Sequence, residues 1–163
     1  KLLGTSRREA DGTCYALVAP FLLGKDSPLY NVNDVFNAVF VHGNMLGDAM
    51  FYGSGAGKLP TASAVVGDIV DAAKHLHTNI STNWNSTPAD LKPLDDVTGR
   101  FFVRIKKDAA EEAKKVFGEI EVICLEQLPE ECAFITAEMT QGEFKEKLTK
   151  IESQVLAKIR VKD

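Results

Sequence analysis

Apolar, strand-forming residues occur in two pairs of short runs in the first part of the chain. Asp11 and Gly12 separate the first pair and are typical of a tight hairpin turn. A glycine-bearing turn separates the second pair. The pattern predicts two β-hairpins, and Pro20 is expected to end or edge its strand because it lacks a backbone N–H. The paired runs are residues 1–8 with 13–23 and residues 35–42 with 48–52.

After Pro60 the apolar period changes from that of a strand to that of a helix. Apolar residues recur at spacings of three and four as far as Leu76, which predicts an amphipathic helix. Pro60 suits the first helical turn, where its missing N–H would be unpaired in any case. Residues 79–98 are polar, contain two prolines and have little periodicity, so they are predicted to be a connector.

The remaining residues predict the order βαββαβ, which is the ferredoxin-like arrangement. Thr140 with Glu143 three residues later is a capping box that opens the second of its helices. The predicted elements are strand 100–107, helix 109–120, strands 122–128 and 132–139, a helix reaching about residue 154, and strand 155–162.

Composition excludes some classes of partner. The 163 residues carry a formal net charge of −4, so neither nucleic acid nor an anionic membrane is an expected partner. No apolar run approaches the roughly 20 residues of a membrane span. The three cysteines form no CxxC pair, which favours reduced, mostly buried thiols in a cytoplasmic protein.

The stretch GSGAGK at residues 53–58 resembles two nucleotide-binding loops in part. The P-loop pattern fails because Gly53 and Gly57 enclose three residues rather than four, and Leu59 stands where a hydroxyl is needed. The GxGxxG pattern fails because Lys58 replaces its third glycine. Two interpretations stay open: a backbone that lets a ligand come close beside a helix N-terminus, or a tight strand-to-helix connection packed on a neighbouring sheet.

Histidines and carboxylates add no predicted catalytic or metal site. His75 and His77 are two residues apart near a helix end and point to different faces, which makes them a poor metal pair. His42 at a strand end favours a structural or solvent-facing role. Asp68 and Asp71 are expected on a solvated helix face.

The stretch VFNAVFVHGNMLGDAMFYGSGAGKLPTASAVVGDIV resembles the C-terminal part of the catalytic region of homoserine dehydrogenases. That family has an NAV strand, a GxGAG loop and a PTASAV helix, and the resemblance covers residues 1–78. Residues 99–163, with AFITAEMTQGEFKEKL, resemble the ACT domain found in many bacterial members. The implied fold is α+β, a partial substrate-domain mixed sheet with one long helix followed by an ACT-like domain. The implied domains are residues 1–78, a linker at 79–98, and 99–163.

The resemblance implies an oxidoreductase that interconverts aspartate-4-semialdehyde and L-homoserine with NAD or NADP, in threonine and methionine biosynthesis. In that family the cofactor is bound mainly by an N-terminal Rossmann domain. The catalytic lysine, the acidic substrate-positioning residues and a monovalent-cation site precede the segment equivalent to KLLGTSR. The chain, which starts at Lys1 in strand-like sequence, is therefore expected to be a fragment with no catalytic residue of its own.

By the same resemblance the GxGAG loop lies near the nicotinamide end of the cofactor. Gly55 is the first candidate for cofactor binding, followed by Gly53, Ala56 and Gly57. Homo-oligomers through the sheet and the ACT-like domain are expected, with threonine as a possible effector. The alternative function is a regulatory amino-acid-binding or dimerisation module. Residues 106–115 contain no glycine, which departs from the ligand-binding turn of ACT domains and favours pairing over sensing.

Overall fold

The computed structural model describes residues 1–79 and 81–162. It divides into two compact units, the sheet unit (Lys1–Gly24 with Pro88–Asp163) and the hairpin–helix unit (Lys25–Thr87). The sheet unit thus joins the first hairpin to the C-terminal residues. The domains predicted at residues 1–78, 79–98 and 99–163 follow a family resemblance and remain a prediction.

The described residues form strands and three helices, and the predicted α+β class is confirmed. No described helix is long and apolar enough to cross a membrane. The strands are β1 (Leu2–Arg8), β2 (Cys14–Leu23), β3 (Phe36–Gly43), β4 (Gly47–Ser54), β5 (Thr98–Lys106), β6 (Val122–Cys124), β7 (Glu131–Ile135), β8 (Met139–Thr140) and β9 (Val155–Lys162). The helices are α1 (Lys58–Lys74), α2 (Ala110–Phe117) and α3 (Gln141–Thr149), with short 3-10 turns at Leu94–Asp96, Lys107–Ala109 and Glu152–Gln154.

The sheet unit contains one mixed sheet with the strand order β1-β2-β9-β5-β7-β6, and β8 pairs with one end of β5. All its neighbouring strands are antiparallel except β2 and β9. Along the chain the elements come in the order β5, α2, β6, β7, α3, β9, with the two-residue strand β8 between β7 and α3, so the predicted βαββαβ order is confirmed. The hairpin β1–β2 extends this sheet past β9.

Strand β2 changes partner at Pro20. Pro20 lies opposite Leu2 in the last pair with β1, and residues 21–23 then run parallel to residues 160–162 of β9. Strand β2 continues past Pro20 to Leu23, in agreement with the predicted run 13–23, so of the two roles predicted for Pro20, ending or edging its strand, the first does not hold. Pro20 lies at the boundary between the β1–β2 pairing and the β2–β9 pairing, a position at which its missing N–H is tolerated.

The core of the sheet unit lies between one face of β5 and the helices α2 and α3. Side chains alternate along β5, so that Phe101, Val103 and Ile105 are buried while Arg104 is exposed. The ring of Phe101 stacks on that of Phe144 in α3, with centroids 3.8 Å apart. The other buried members of this cluster are Ala109, Ala113, Phe117, Cys132, Phe134, Met139, Leu148 and Ile151.

Both helices of this unit end earlier than predicted. Gly118 follows α2 with φ of 86°, a backbone conformation that favours glycine and stops the helix at Phe117. Helix α3 ends at Thr149, and the chain turns so that Ile151, 1% exposed, enters the core. The start of α3 is as predicted, because Thr140 and Glu143 form the reciprocal bonds of a capping box.

Strands β6 and β7 are shorter than the predicted strands 122–128 and 132–139. Their pairing ends where Cys124 lies opposite Cys132, and residues 125–130 then form the connecting turns. In these turns the Leu128 N–H donates to the Leu125 carbonyl and the Glu131 N–H donates to the Leu128 carbonyl.

The hairpin–helix unit contains the predicted second hairpin, β3–β4, and the predicted helix α1. None of its described residues, 25–79 and 81–87, is buried. Large apolar side chains are exposed on both strands and on the helix, including Val39, Phe51 and Ile69 at 62%, 69% and 61%. A two-stranded sheet with uncovered faces is marginal in water, so this unit needs a covering surface.

Thr136 offers a test of the sheet unit, because it is a buried polar residue of the described chain. Its hydroxyl accepts a hydrogen bond from the Phe101 N–H at 3.1 Å. Thr136→Val keeps the side-chain shape but removes this acceptor, so it should lower the free energy of unfolding by about 1–3 kcal/mol. Urea unfolding followed by far-ultraviolet circular dichroism measures the loss. The control, Thr149→Val at an exposed hydroxyl, should change it by less than about 0.5 kcal/mol; equal losses would contradict the assignment.

Candidate functional site

The glycine loop joins β4 directly to α1 within the hairpin–helix unit. Strand β4 ends at Ser54 and α1 begins at Lys58, so residues 55–57 make the whole connection. The strands before it pair as an antiparallel hairpin. In a dinucleotide-binding fold the glycine loop instead follows a strand of a parallel βαβ unit.

Gly55 is in close contact with the side chain of Asn37 on β3. A Cβ atom at Gly55 would lie 2.2 Å from Asn37 Nδ2 and 2.9 Å from its Cγ. The N–H of Gly55 donates to the Val35 carbonyl at 3.4 Å, and Asn37 Nδ2 donates to the same oxygen at 3.4 Å. Gly55 is therefore packed closely against the Asn37 side chain, which favours the second interpretation left open above.

Gly57 is the N-cap of α1 and has φ of 117°, a conformation that favours glycine. No side chain caps the helix and its first turn carries no acidic residue. The first two N–H groups of the helix, at Lys58 and Leu59, have no acceptor within a helix. These donors and the helix dipole favour an anion or an acceptor oxygen at this end.

A shallow, mainly apolar depression lies beside the loop. Asn37 and Gly53 face each other across the two strands, and the larger walls are Val39 and Phe51, also paired. The Tyr52 ring stacks on Phe36 with centroids 4.9 Å apart. The lining residues are Asn37, Ala38, Val39, Phe51, Tyr52, Gly53, Ser54 and Gly55.

The four candidate residues thus divide into two pairs. Gly53 and Gly55 line the depression, and a Cβ at Gly53 would meet nothing within 4 Å. Ala56 and Gly57 lie outside the lining, next to the free end of α1. The polar groups on this surface are backbone N–H groups, the Asn37 amide and the hydroxyls of Tyr52 and Ser54, so it can bind and orient a ligand.

Asn37 is the site residue that sequence reasoning missed. It is a polar side chain within an apolar strand, in the NAV sequence quoted above. A polar residue at such a position is a signal for a specific contact, here with Gly55 and Val35.

Two of the three histidines, His42 and His75, have ordinary structural partners. His42 Nδ1 lies 2.5 Å from Asp48 Oδ1, across the end of the β3–β4 hairpin, and both side chains are exposed. His75 caps the C-terminus of α1, with its Nδ1 2.9 Å from the Asp71 carbonyl oxygen. Among residues 1–79 and 81–162, no three His, Cys, Asp or Glu side chains are grouped so that they could hold a metal ion.

The strand–loop–helix segment matches a known family. The homoserine dehydrogenase family model matches residues 1–70, which contain both hairpins and most of α1. Residues 1–70 belong to the homoserine dehydrogenase family. The resemblance inferred from the NAV, GxGAG and PTASAV motifs is confirmed.

Curated homoserine dehydrogenases also match beyond residue 70. The enzyme of Neisseria gonorrhoeae is 33% identical over 135 residues, which cover 78% of this chain and 30% of the relative. The enzyme of Bacillus subtilis is 38% identical over 109 residues, covering 64% of this chain and 25% of the relative. The chain thus spans about three tenths or less of these relatives and corresponds to their C-terminal part.

Solved homoserine dehydrogenases have the same fold along the chain. The crystal structure from Thiobacillus denitrificans superposes with a TM-score of 0.79 at 26% identity, covering 100% of this chain and 42% of that one. The S. aureus enzyme at pH 6.0 superposes with a TM-score of 0.68 at 27% identity, covering 100% of this chain and 41% of that one.

Gly55→Ala tests the packing of the loop. The new methyl group would overlap the Asn37 amide, so the Asn37 side chain should rotate away and lose its bond to the Val35 carbonyl. The cost should be about 0.5–1.5 kcal/mol. The side-chain NH₂ signals of Asn37 in a ¹H–¹⁵N NMR spectrum should shift. They should not shift in Gly67→Ala, where the added Cβ has nothing within 4 Å; unchanged Asn37 signals in Gly55→Ala would refute the contact.

Proposed function

We propose that this chain supplies the C-terminal part of a homoserine dehydrogenase, which interconverts aspartate-4-semialdehyde and L-homoserine with NAD or NADP. The family match over residues 1–70 carries the proposal, and the homologues support it along more of the chain. Roles in threonine and methionine biosynthesis and a cytoplasmic location are parts of this proposal. The catalytic lysine of the family is expected outside this segment.

The loop between β4 and α1 fits a cofactor or substrate group. Gly53 and Gly55 leave the backbone of the depression without side chains, and the uncapped start of α1 offers N–H donors. We assign Gly55 first, then Gly53, Ala56 and Gly57, as cofactor-binding residues. When bound, the nicotinamide supplies hydride transfer.

The residues of this chain would bind and orient, without taking part in proton transfer. The Lys58 and Leu59 N–H groups would hold an acceptor oxygen at the free end of α1. The Asn37 amide keeps Gly55 in place and borders the same surface. Val39 and Phe51 would exclude water from one side of the ligand.

A chimera tests the activity. The matched C-terminal segment of the Neisseria gonorrhoeae relative is replaced by this chain, and homoserine oxidation is measured with NAD and with NADP. The chimera should be active, whereas the isolated chain should not. Gly55→Ala in the chimera should lower kcat/KM by roughly tenfold or more, since small displacements of positioning groups are costly.

Gly67→Ala is the matched control, because its Cβ would lie in open space on α1. It should keep the kcat/KM of the unmodified chimera. A folded chimera without dehydrogenase activity would overturn the proposed function. An active chimera in which Gly55→Ala has no effect would overturn the loop assignment alone.

We also infer that the chain assembles with a second copy through its exposed apolar strands. Residues 25–79 and 81–87 include no buried side chain, and Phe40 and Met50 lie opposite each other on one face of the hairpin. The ACT-like residues 99–163 are proposed to add to pairing. The 3-10 turn Lys107–Ala109, which follows β5 without a glycine, favours this role over amino-acid sensing.

Sedimentation velocity at micromolar concentration tests assembly. The chain should sediment as a dimer or larger species, and Phe40→Lys should shift it to the monomer by placing a charge in the apolar face. Thr87→Lys, in an exposed segment, should leave the distribution unchanged. A purely monomeric wild type would contradict assembly. A shift on addition of excess threonine would instead favour sensing.

A further inference from the structure

Two cysteines lie directly opposite each other at the edge of the sheet unit. Cys124 ends β6 and is paired with Cys132 of β7 in the antiparallel register. Opposed residues in such a ladder have Cα atoms about 4.5 or about 5.5 Å apart. Disulfides span Cα separations of about 4.4–6.8 Å, so the backbone already meets the main requirement for a bridge.

The two thiols differ in access to solvent. Cys132 is 3% exposed and belongs to the core cluster, whereas Cys124 is exposed. The expectation of mostly buried thiols is therefore wrong, because Cys132 is buried whereas Cys14 is partly exposed and Cys124 is exposed. Burial raises the pKa of the Cys132 thiol, and the neighbouring Cys124 thiol raises that pKa further. Because the two residues are directly opposite in the ladder, their side chains lie on the same face of the sheet.

We propose that Cys124 and Cys132 form a reversible cross-strand disulfide, in which exposed Cys124 meets the oxidant and Cys132 resolves it. The oxidant is a small-molecule disulfide. Disulfides in cytosolic proteins are usually transient and redox-responsive, so the bridge is a regulatory modification rather than a permanent link. Its effect is to fasten the edge strand β6, which has three residues, to β7.

The exchange balances in two steps. The Cys124 thiolate attacks one sulfur of the small disulfide, forming a mixed disulfide and releasing one thiolate. Cys132 loses its proton to solvent, its sulfur attacks Cys124 Sγ, and the second thiolate leaves. Two protein thiols are oxidised and one small disulfide is reduced to two thiols.

Cys14, the remaining cysteine of the chain, is outside this pair. It lies on β2, which is separated from β7 by β9 and β5, or three strand spacings of about 4.8 Å each. Its sulfur donates to the Gly12 carbonyl. Cys14→Ser is therefore a matched control that removes a thiol without touching the bridge.

The test equilibrates the full chain with oxidised glutathione, traps free thiols with iodoacetamide and measures intact mass. Wild type should keep one reactive thiol, at Cys14, and regain the others with dithiothreitol. Cleavage after glutamate separates the two cysteines, since Glu126 and Glu130 lie between them. The resulting peptides should remain linked in wild type and in Cys14→Ser.

Single variants test the order of attack. Cys132→Ser should accumulate a glutathione adduct on Cys124, while Cys124→Ser should leave Cys132 unmodified because it is buried. The proposal is overturned by a lasting glutathione adduct on Cys124 in wild type, by a bridge between two chains, or by full alkylation of Cys124 and Cys132 after equilibration.

Discussion

The double pairing of β5 is the interaction on which the sheet unit depends. β5 pairs with β9 on one side and with β7 on the other, and β8 pairs with the N-terminal end of β5. Its inner face supplies Val103 and Ile105, both fully buried, against α2 and α3. Among the described strands, β9 is the one that pairs the β1–β2 hairpin with this sheet, and Cys14 of β2 also exchanges backbone hydrogen bonds with Asp90 and Lys92. A change that loosens β5 therefore reaches every other strand of the unit.

The hairpin–helix unit differs from the sheet unit in its hydrogen bonding and in the burial of its side chains. Its hydrogen bonds are local, between β3 and β4 and within α1, and its apolar side chains are exposed. The candidate loop sits in this weaker unit, where the contact of Gly55 with Asn37 fixes one side of it. Binding residues are often found on segments of low intrinsic stability, because a ligand or partner can then add the contacts that the fold does not supply.

Local signals in the sequence predicted the local parts of this structure. The capping box at Thr140, the strand at residues 155–162 and the two hairpins are each set by residues close together in the chain. Gly118 is also a local signal for the end of a helix, because glycine is enriched just past helix ends. The predicted helix 109–120 nevertheless includes it. At the site, the glycines could be identified from the sequence. The role of Asn37 could not, because it depends on the strand register that places Asn37 opposite Gly53.

Partner choice between distant strands was not predictable in this way. Phe21 is paired with Arg160, and the Arg160 guanidinium lies over the Phe101 ring, 5.0 Å from its centroid. No spacing of residues in the sequence predicts these contacts. The turn after β6 was missed for a related reason, since the register that ends at Cys124 and Cys132 is set by the pairing of two strands.

The parallel pairing of β2 with β9 has a consequence for biosynthesis. A ribosome releases β1 and β2 well before β9, and their hairpin can close at once because its contacts are local. Residues 21–23, however, cannot acquire their strand partner until β9 has left the exit tunnel. During that interval this part of β2, with Phe21 and Leu22, is open to other chains, so the nascent protein is exposed to misassembly until β9 is made.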